Sequence, residues 1–184
     1  MLRTLSYLLV LGGLVVTGFG LHSIWTAKQA EQQAEQQWDR VVESQPVAPA
    51  HKFRAGETFA RLSIGRLGGR WVVVEGADRV DLKKGPGHLI NTALPGSRGN
   101  CVIAGHRDTQ FRMLRNVEIG ESITIESGGR NYVYRVTDRR VVSPSDTRSL
   151  FPTPTPTLTL VTCYPFYYVG PAPKRFIVRA ELVS

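Results

Sequence analysis

The chain has 184 residues and a formal net charge of +8, with 42% hydrophobic and 21% charged residues. This length fits one compact domain together with a tail or an anchor. The two cysteines, Cys101 and Cys163, exclude a disulfide scaffold and a cysteine-rich zinc site, and the four histidines form no HExxH-like cluster. We therefore expect no metal and no cofactor. The basic residues occur as singles and pairs without a nucleic-acid motif, so a nucleic-acid partner is not expected either.

The first 27 residues are predicted to form a single transmembrane helix. No Lys, Arg, Asp or Glu occurs from Thr4 to Ala27, and the stretch is dense in Leu, Val and other apolar residues. As a helix it would extend for about 36 Å, enough to cross a hydrocarbon core of roughly 30 Å. Arg3 supplies the positive flank, which predicts an N-terminus in the cytoplasm. Residues 1–27 are thus expected to be an uncleaved, single-pass signal-anchor in the cytoplasmic membrane.

A cleaved signal peptide is the alternative. Gly18 and Gly20 offer small residues at the two positions that a signal peptidase inspects, after an apolar core of suitable length. The apolar stretch continues beyond that point, which favours the anchor. Both interpretations place the rest of the chain outside the cytoplasm, at the cell surface or in the periplasm.

Residues 28–50 are predicted to form an extracytoplasmic helical stalk and a linker. The segment from Ala30 to Trp38 consists largely of good helix formers, Ala, Glu and Gln. Pro46 and Pro49 then end the helix and make the following residues a spacer. The folded domain is therefore expected to comprise residues 51–184.

The domain is predicted to be all-β. Short runs rich in β-branched and aromatic residues alternate with Gly, Pro, Asn and Asp, which indicates a barrel or a sandwich. We favour a closed or nearly closed barrel. Residues 78–84 and 109–115 are each expected to hold a short helix. The last strand alternates as a β-strand should, with Phe176, Val178, Ala180 and Leu182 on one face and Arg175, Ile177, Arg179 and Glu181 on the other. The predicted strands are 58–65, 70–75, 100–105, 121–126, 131–142, 157–163 and 174–183.

A cysteine and a histidine stand at the ends of two predicted strands. Cys163 ends one strand and is followed by Tyr164-Pro165, where proline blocks further pairing. His106 follows a second strand of small and apolar residues. Each residue alone is more often structural. Together they are what a thiol enzyme needs, since one supplies the nucleophile and the other transfers protons.

An arginine at the start of the last strand completes the predicted constellation. Arg175 carries a permanent charge and can donate hydrogen bonds to a developing oxyanion. Arg179 shares its strand face, so alternation alone does not separate the two. Asp108 lies close to His106 in sequence, but a turn-capping role suits it at least as well. Cys101 is expected to pack inside the domain; a Cys101–Cys163 disulfide would block the nucleophile.

These segments resemble the sortase family. Thr159-Leu-Val-Thr-Cys163 matches the TLxTC signature, Ala104-Gly-His106 matches the histidine strand, and Arg175 falls where the essential arginine should. The amino-acid sequences of the longer segments 158–166 and 170–176 are most similar to those of class D sortases. The resemblance covers roughly residues 55–184.

The resemblance implies a closed eight-stranded sortase β-barrel with short helices in its connections. It also implies a cysteine transpeptidase that cleaves an LPxTG-like sorting signal between Thr and Gly. Cys163 would form the thioester, His106 would be the general acid and base, and Arg175 would hold the oxyanion or the substrate. Thr162 and Ala104 are expected to contact the substrate. The partners would be a protein bearing the sorting signal and an amine acceptor on the cell wall, the surface or another subunit.

Two other functions remain open at this point. A hydrolytic cysteine peptidase on the same scaffold would resolve the thioester with water. A non-catalytic, membrane-anchored barrel would only bind peptides, and its role would survive Cys163→Ala. The sequence specifies neither the acceptor amine nor the variable residue of the signal.

Overall fold

The computed structural model describes residues 7, 11–22, 25–26, 29, 53–167 and 172–184. Residues 11–22 are helical, and nearly all of their side chains are exposed. Within the described ranges there is no helix with the length and apolar character needed to span a membrane. Apart from residues 7, 25 and 26, the rest of the predicted anchor lies outside the described residues. Of the predicted stalk and linker, 28–50, only residue 29 is described.

Eight strands form a closed barrel in the described part of the chain. Each of the seven predicted strands is present, with both ends within one residue of the prediction. Around the barrel the strands follow the order β1, β2, β3, β4, β7, β8, β6, β5, and β5 pairs back with β1. The strands are β1 (Thr58–Ile64), β2 (Gly69–Glu75), β3 (Gly87–His88), β4 (Asn100–Ala104), β5 (Ser122–Ser127), β6 (Arg130–Val142), β7 (Thr157–Tyr164) and β8 (Lys174–Leu182).

The strand that the sequence did not predict is β3. It has two residues, which is too short for any alternation to show, yet it bridges β2 and β4 and so closes the sheet. The two predicted short helices are present as 3-10 helices, Asp81–Lys83 and Arg112–Asn116. Two further 3-10 helices, Gly65–Leu67 and Arg148–Leu150, were not predicted.

The barrel interior is filled by alternate residues of the strands. On β8 the even-numbered residues Phe176, Val178 and Ala180 are buried in the core, which confirms the predicted apolar face, and Ile177 on the opposite face is buried as well. Burial of apolar surface stabilises the fold by roughly 25 cal/mol per Å². Because successive residues of a strand point to opposite faces, the odd-numbered residues of β8 face outward, Arg175 and Arg179 among them.

Three neighbouring strands bring the functional residues together. β4 and β7 pair in parallel, so they end at the same edge of the barrel, and β8 is antiparallel to β7, so it begins there. β6 and β7 both run antiparallel to β8, on its two sides. The connection 143–156 therefore has to cross back over β8.

Candidate active site

Cys163 and Arg175 are direct cross-strand neighbours on β7 and β8. Directly paired residues of an antiparallel ladder project from the same face of the sheet, with Cβ atoms about 5 Å apart. That face is the outside of the barrel, because the alternate residues of both strands fill the core. Cys163 is half-buried and is the penultimate residue of β7, as the following proline predicted.

His106 lies one strand away on the other side of Cys163. Ala104 pairs with Val161, and the Gly105 amide donates to the Val161 carbonyl at 3.1 Å. Continuing this parallel register by two residues brings His106 level with Cys163. His106 is exposed, so its ring is accessible to a substrate on the outer face.

The turn that carries His106 is held from both sides. The His106 amide donates to Oε1 of Gln110 at 3.1 Å, and its carbonyl accepts from the Phe111 amide at 2.9 Å. A Cβ atom at residue 105 would lie 2.8 Å from the Phe111 ring. Residue 105 is therefore glycine because the ring, which is fully buried, occupies that space.

The structure distinguishes the two arginines that alternation alone does not separate. Arg175 is paired with Cys163, whereas Arg179 is paired with Thr159, four residues further along the strand. The Arg175 guanidinium donates from Nη1 to the carbonyls of Lys174 at 3.0 Å and Ala172 at 3.3 Å. It is therefore held at the edge of the barrel where Cys163 lies.

Cys101 has the structural role that the sequence predicted. It is 1% exposed in the hydrophobic core, and burial raises the pKa of its thiol far above the ordinary value. Cys101 and Cys163, both of which the structure describes, are free thiols. The nucleophile candidate is thus the partly exposed Cys163.

The two residues predicted to contact a substrate have different environments. Thr162 is 2% exposed, and its hydroxyl donates to the Gly105 carbonyl at 2.7 Å. It therefore joins the ends of β7 and β4 from within. Ala104 is half-buried on the outer face, beside Val161. Substrate contact by either residue stays a prediction.

Asn100 is a site-organising residue whose role the sequence reasoning missed. It is 2% exposed, and its Nδ2 donates to the carbonyls of Ser149 at 2.9 Å and Phe151 at 3.1 Å. Its Oδ1 accepts from the Thr159 hydroxyl at 2.7 Å. Asn100 thereby fastens the β6–β7 connection to the outer face of β4 and β7. A polar residue inside an otherwise apolar strand was the available signal.

A second buried polar group, Glu75 with His88, is separate from the outer face. His88 Nδ1 lies 2.7 Å from Glu75 Oε2, and Nε2 lies 2.9 Å from the Thr92 hydroxyl. The His88 ring packs against the core residue Phe59 at 5.2 Å between centroids. His88 is thus enclosed with both nitrogens engaged, whereas His106 is exposed beside the cysteine.

The comparisons with known proteins agree with this arrangement. The family model for the sortase domain matches residues 62–183. A curated relative, Sortase D of Bacillus subtilis, is 28% identical over the whole of both chains. The solved structure of a Clostridium perfringens Sortase D5 transpeptidase is 28% identical, with a TM-score of 0.70 over 85% of this chain and 99% of that one. Sortase E of Streptomyces avermitilis is 33% identical, with a TM-score of 0.64 over 72% and 91% of the two chains.

A closed barrel with a cysteine, a histidine and an arginine on adjacent strand ends defines a thiol acyltransferase of the sortase type. The chain belongs to the sortase family, whose members are cysteine transpeptidases.

Proposed function

We propose that this sortase cleaves an LPxTG-like signal between Thr and Gly and transfers the Thr acyl group to an amine. The observation that supports this most directly is the register of the strand ends, in which Cys163 lies between His106 on β4 and Arg175 on β8. The nucleophile, a proton carrier and a fixed cation are thereby available to one carbonyl group.

In the first step the Cys163 sulfur bonds to the Thr carbonyl carbon, and the bond from that carbon to the Gly nitrogen breaks. His106 gives a proton to the departing amine, and the thioester remains on the enzyme. Arg175 stabilises the oxyanion that forms on the carbonyl oxygen. Removing such a donor from other enzymes slows turnover by about 10²- to 10³-fold.

In the second step an acceptor amine attacks the thioester carbon. His106 removes a proton from the attacking nitrogen, the new amide bond forms, and the Cys163 sulfur leaves as the thiolate. We assign Thr162 a positioning role in both steps, because its hydroxyl connects the strand end that carries Cys163 with the Gly105 carbonyl next to His106.

We also propose that residues 1–27 anchor the chain in the cytoplasmic membrane, with the barrel outside. The absence of charged residues from Thr4 to Ala27 supports this, as do the exposed apolar side chains of the helical residues 11–22. Residues 28–50 would then carry the barrel away from the bilayer. The protein that bears the sorting signal and the acceptor amine would meet at the membrane surface.

A product analysis with a fluorescent LPxTG peptide tests the proposed reaction. We expect slow hydrolysis of the peptide alone and, on addition of an amine, a shift of product from acid to amide. Cys163→Ala should abolish both products, and His106→Ala and Arg175→Ala should each slow them by about 10²-fold or more. Arg135→Ala is the control and should keep wild-type rates, because Arg135 is exposed on β6 near the end of β8 that is opposite to Arg175. If the ratio of acid to amide does not change when the amine is added, the enzyme is a peptidase and the proposed transfer is wrong.

A further inference from the structure

A cavity of about 470 Å³ lies beside His106, Cys163 and Arg175, the proposed catalytic residues. It lies between the β6–β7 connection and the outer face of the barrel. Val142, which lines it on β6, is the cross-strand neighbour of Arg175, and Arg175 is the neighbour of Cys163. Because paired strands lie about 4.8 Å apart, the cavity begins about 10 Å from the nucleophile. The lining residues are Arg140, Val142, Asp146, Arg148 and Arg179.

Within the part of the chain that the structure describes, Arg179 is the one cavity arginine with no carboxylate at ion-pair distance. The Arg148 guanidinium donates one hydrogen bond to each carboxylate oxygen of Asp146. These bonds lower the pKa of the Asp146 carboxyl to about 2. Arg140 Nη1 lies 3.3 Å from Asp138 Oδ2, although Asp138 is the strand neighbour of Arg179. Among the described residues, the buried Nε of Arg179 finds no hydrogen-bond partner. A guanidinium keeps its positive charge at every relevant pH, so a carboxylate that enters the cavity would form an ion pair with Arg179.

The position of His106 indicates which half of a substrate reaches this cavity. The leaving amine has to be close to His106, which lies on the β4 side of Cys163. The acyl half of the peptide therefore extends towards Arg175 and the β6 side. Arg179 is one strand across and four residues along from Cys163, about 14 Å away at strand spacings. An extended peptide covers that distance in about four residues.

We propose that the cavity binds a carboxylate side chain of the substrate protein, on the residue immediately before the leucine of the sorting signal. That residue lies four positions before the reacting threonine. Arg179 is the specificity-determining residue, because its guanidinium lines the cavity and no described carboxylate pairs with it. This inference rests on the proposed reaction and adds to it a preference for one class of substrate flank.

Two peptides that differ only in Glu or Gln before the leucine test the proposal. We expect wild type to have a kcat/KM about fivefold higher for the Glu peptide, and added salt should reduce this ratio. Arg179→Gln should bring the ratio close to one. Arg179→Glu should favour a third peptide with Lys at that position. The exposed Arg130→Gln changes net charge equally, at the far hairpin of β5 and β6, and should keep the Glu preference.

Equal kcat/KM for the two peptides in wild type, with both transferred through Cys163, would overturn this inference and leave the proposed reaction intact. The inference would also be overturned if Arg130→Gln lowered the Glu-to-Gln ratio of kcat/KM as much as Arg179→Gln does. The net positive charge of the protein would then explain the preference without the cavity. A preference seen only when the carboxylate is on the acceptor amine would assign the cavity to the acceptor and contradict the proposal. Failure to transfer either peptide would overturn the proposed reaction, and this inference with it.

Discussion

The hydroxyl of Thr162 donates a hydrogen bond of 2.7 Å to the carbonyl oxygen of Gly105. This contact joins the residue before Cys163 to the residue before His106, so it links the two strand ends that carry the proposed catalytic residues. Thr162→Val keeps the shape of the side chain and removes the donor. We expect a loss of about 1–3 kcal/mol in the free energy of unfolding, because the Gly105 carbonyl is left buried without this donor.

Thr162→Val should also lower kcat about tenfold or more with little change in KM, since the thiol and the imidazole would lose their common support. Urea denaturation and steady-state kinetics measure the two effects. Thr124→Val, on β5, is the matched control. A Thr162→Val enzyme with wild-type kcat would contradict the positioning role.

The close approach of Phe111 to Gly105 predicts a compensating pair of substitutions. Gly105→Ala places a Cβ atom 2.8 Å from the ring, which forces the His106 turn to shift and should lower both the melting temperature and kcat. Phe111→Leu makes room, so the double variant should recover part of the activity lost in Gly105→Ala. Gly65→Ala is the control, because a Cβ atom there meets nothing within 4 Å. Purely additive losses in the double variant would contradict this account.

Removal of the Asn100 side-chain amide should loosen the β6–β7 connection, because that amide bonds to two of its carbonyl groups. Asn100→Ala takes away three hydrogen bonds and should release the segment around Arg148, whose side chain is 82% exposed. We expect faster cleavage by trypsin after Arg148 and a KM raised several-fold for a sorting-signal peptide. Asn131→Ala, at an exposed position of β6, should change neither quantity. Equal trypsin rates in Asn100→Ala and wild type would show that the loop is held by other contacts.

The two thiols should differ sharply in their reactivity towards an alkylating agent. Only the thiolate reacts, and burial raises the pKa of Cys101, so Cys163 should be modified first and with loss of activity. The same shift affects stability. The unfolded chain loses the Cys101 proton above about pH 8.5 while the folded chain keeps it, so the free energy of unfolding should fall as pH rises beyond that value.

Cys101→Ala removes this alkaline contribution and should flatten the stability profile above about pH 8.5, at a general cost of roughly 1 kcal/mol for a small cavity. Peptide mapping by mass spectrometry identifies the modified thiol, and denaturation at several pH values gives the profile. Modification of Cys101 in the folded protein ahead of Cys163 would contradict the assignment of the two thiols.

Local patterns in the sequence predicted most of the fold. The alternation along β8 and the proline after Cys163 determine which residues face inward and where β7 ends. Strand β3 escaped prediction because two residues carry no periodicity, and its place depends on tertiary pairing with β2 and β4.

The sequence proposes the residues of the candidate site but not the geometry in which they lie. Arg175 and Arg179 are equivalent by alternation, and only the register with β7 places Arg175 opposite Cys163. Likewise, the partners of Asn100 lie on the β6–β7 connection, far from it in sequence. Contacts of this kind depend on how the chain closes on itself.

The central claim is that an acyl-enzyme forms on Cys163, and mass spectrometry of the digested enzyme tests it most directly. The enzyme is mixed with an LPxTG peptide without added amine, quenched in acid and digested. We predict a mass increase equal to that of the peptide acid ending at its threonine less one water, located on the fragment that contains Cys163 and removed by hydroxylamine. Cleaved peptide with the adduct on Cys101, or cleavage that persists in Cys163→Ala, would contradict it.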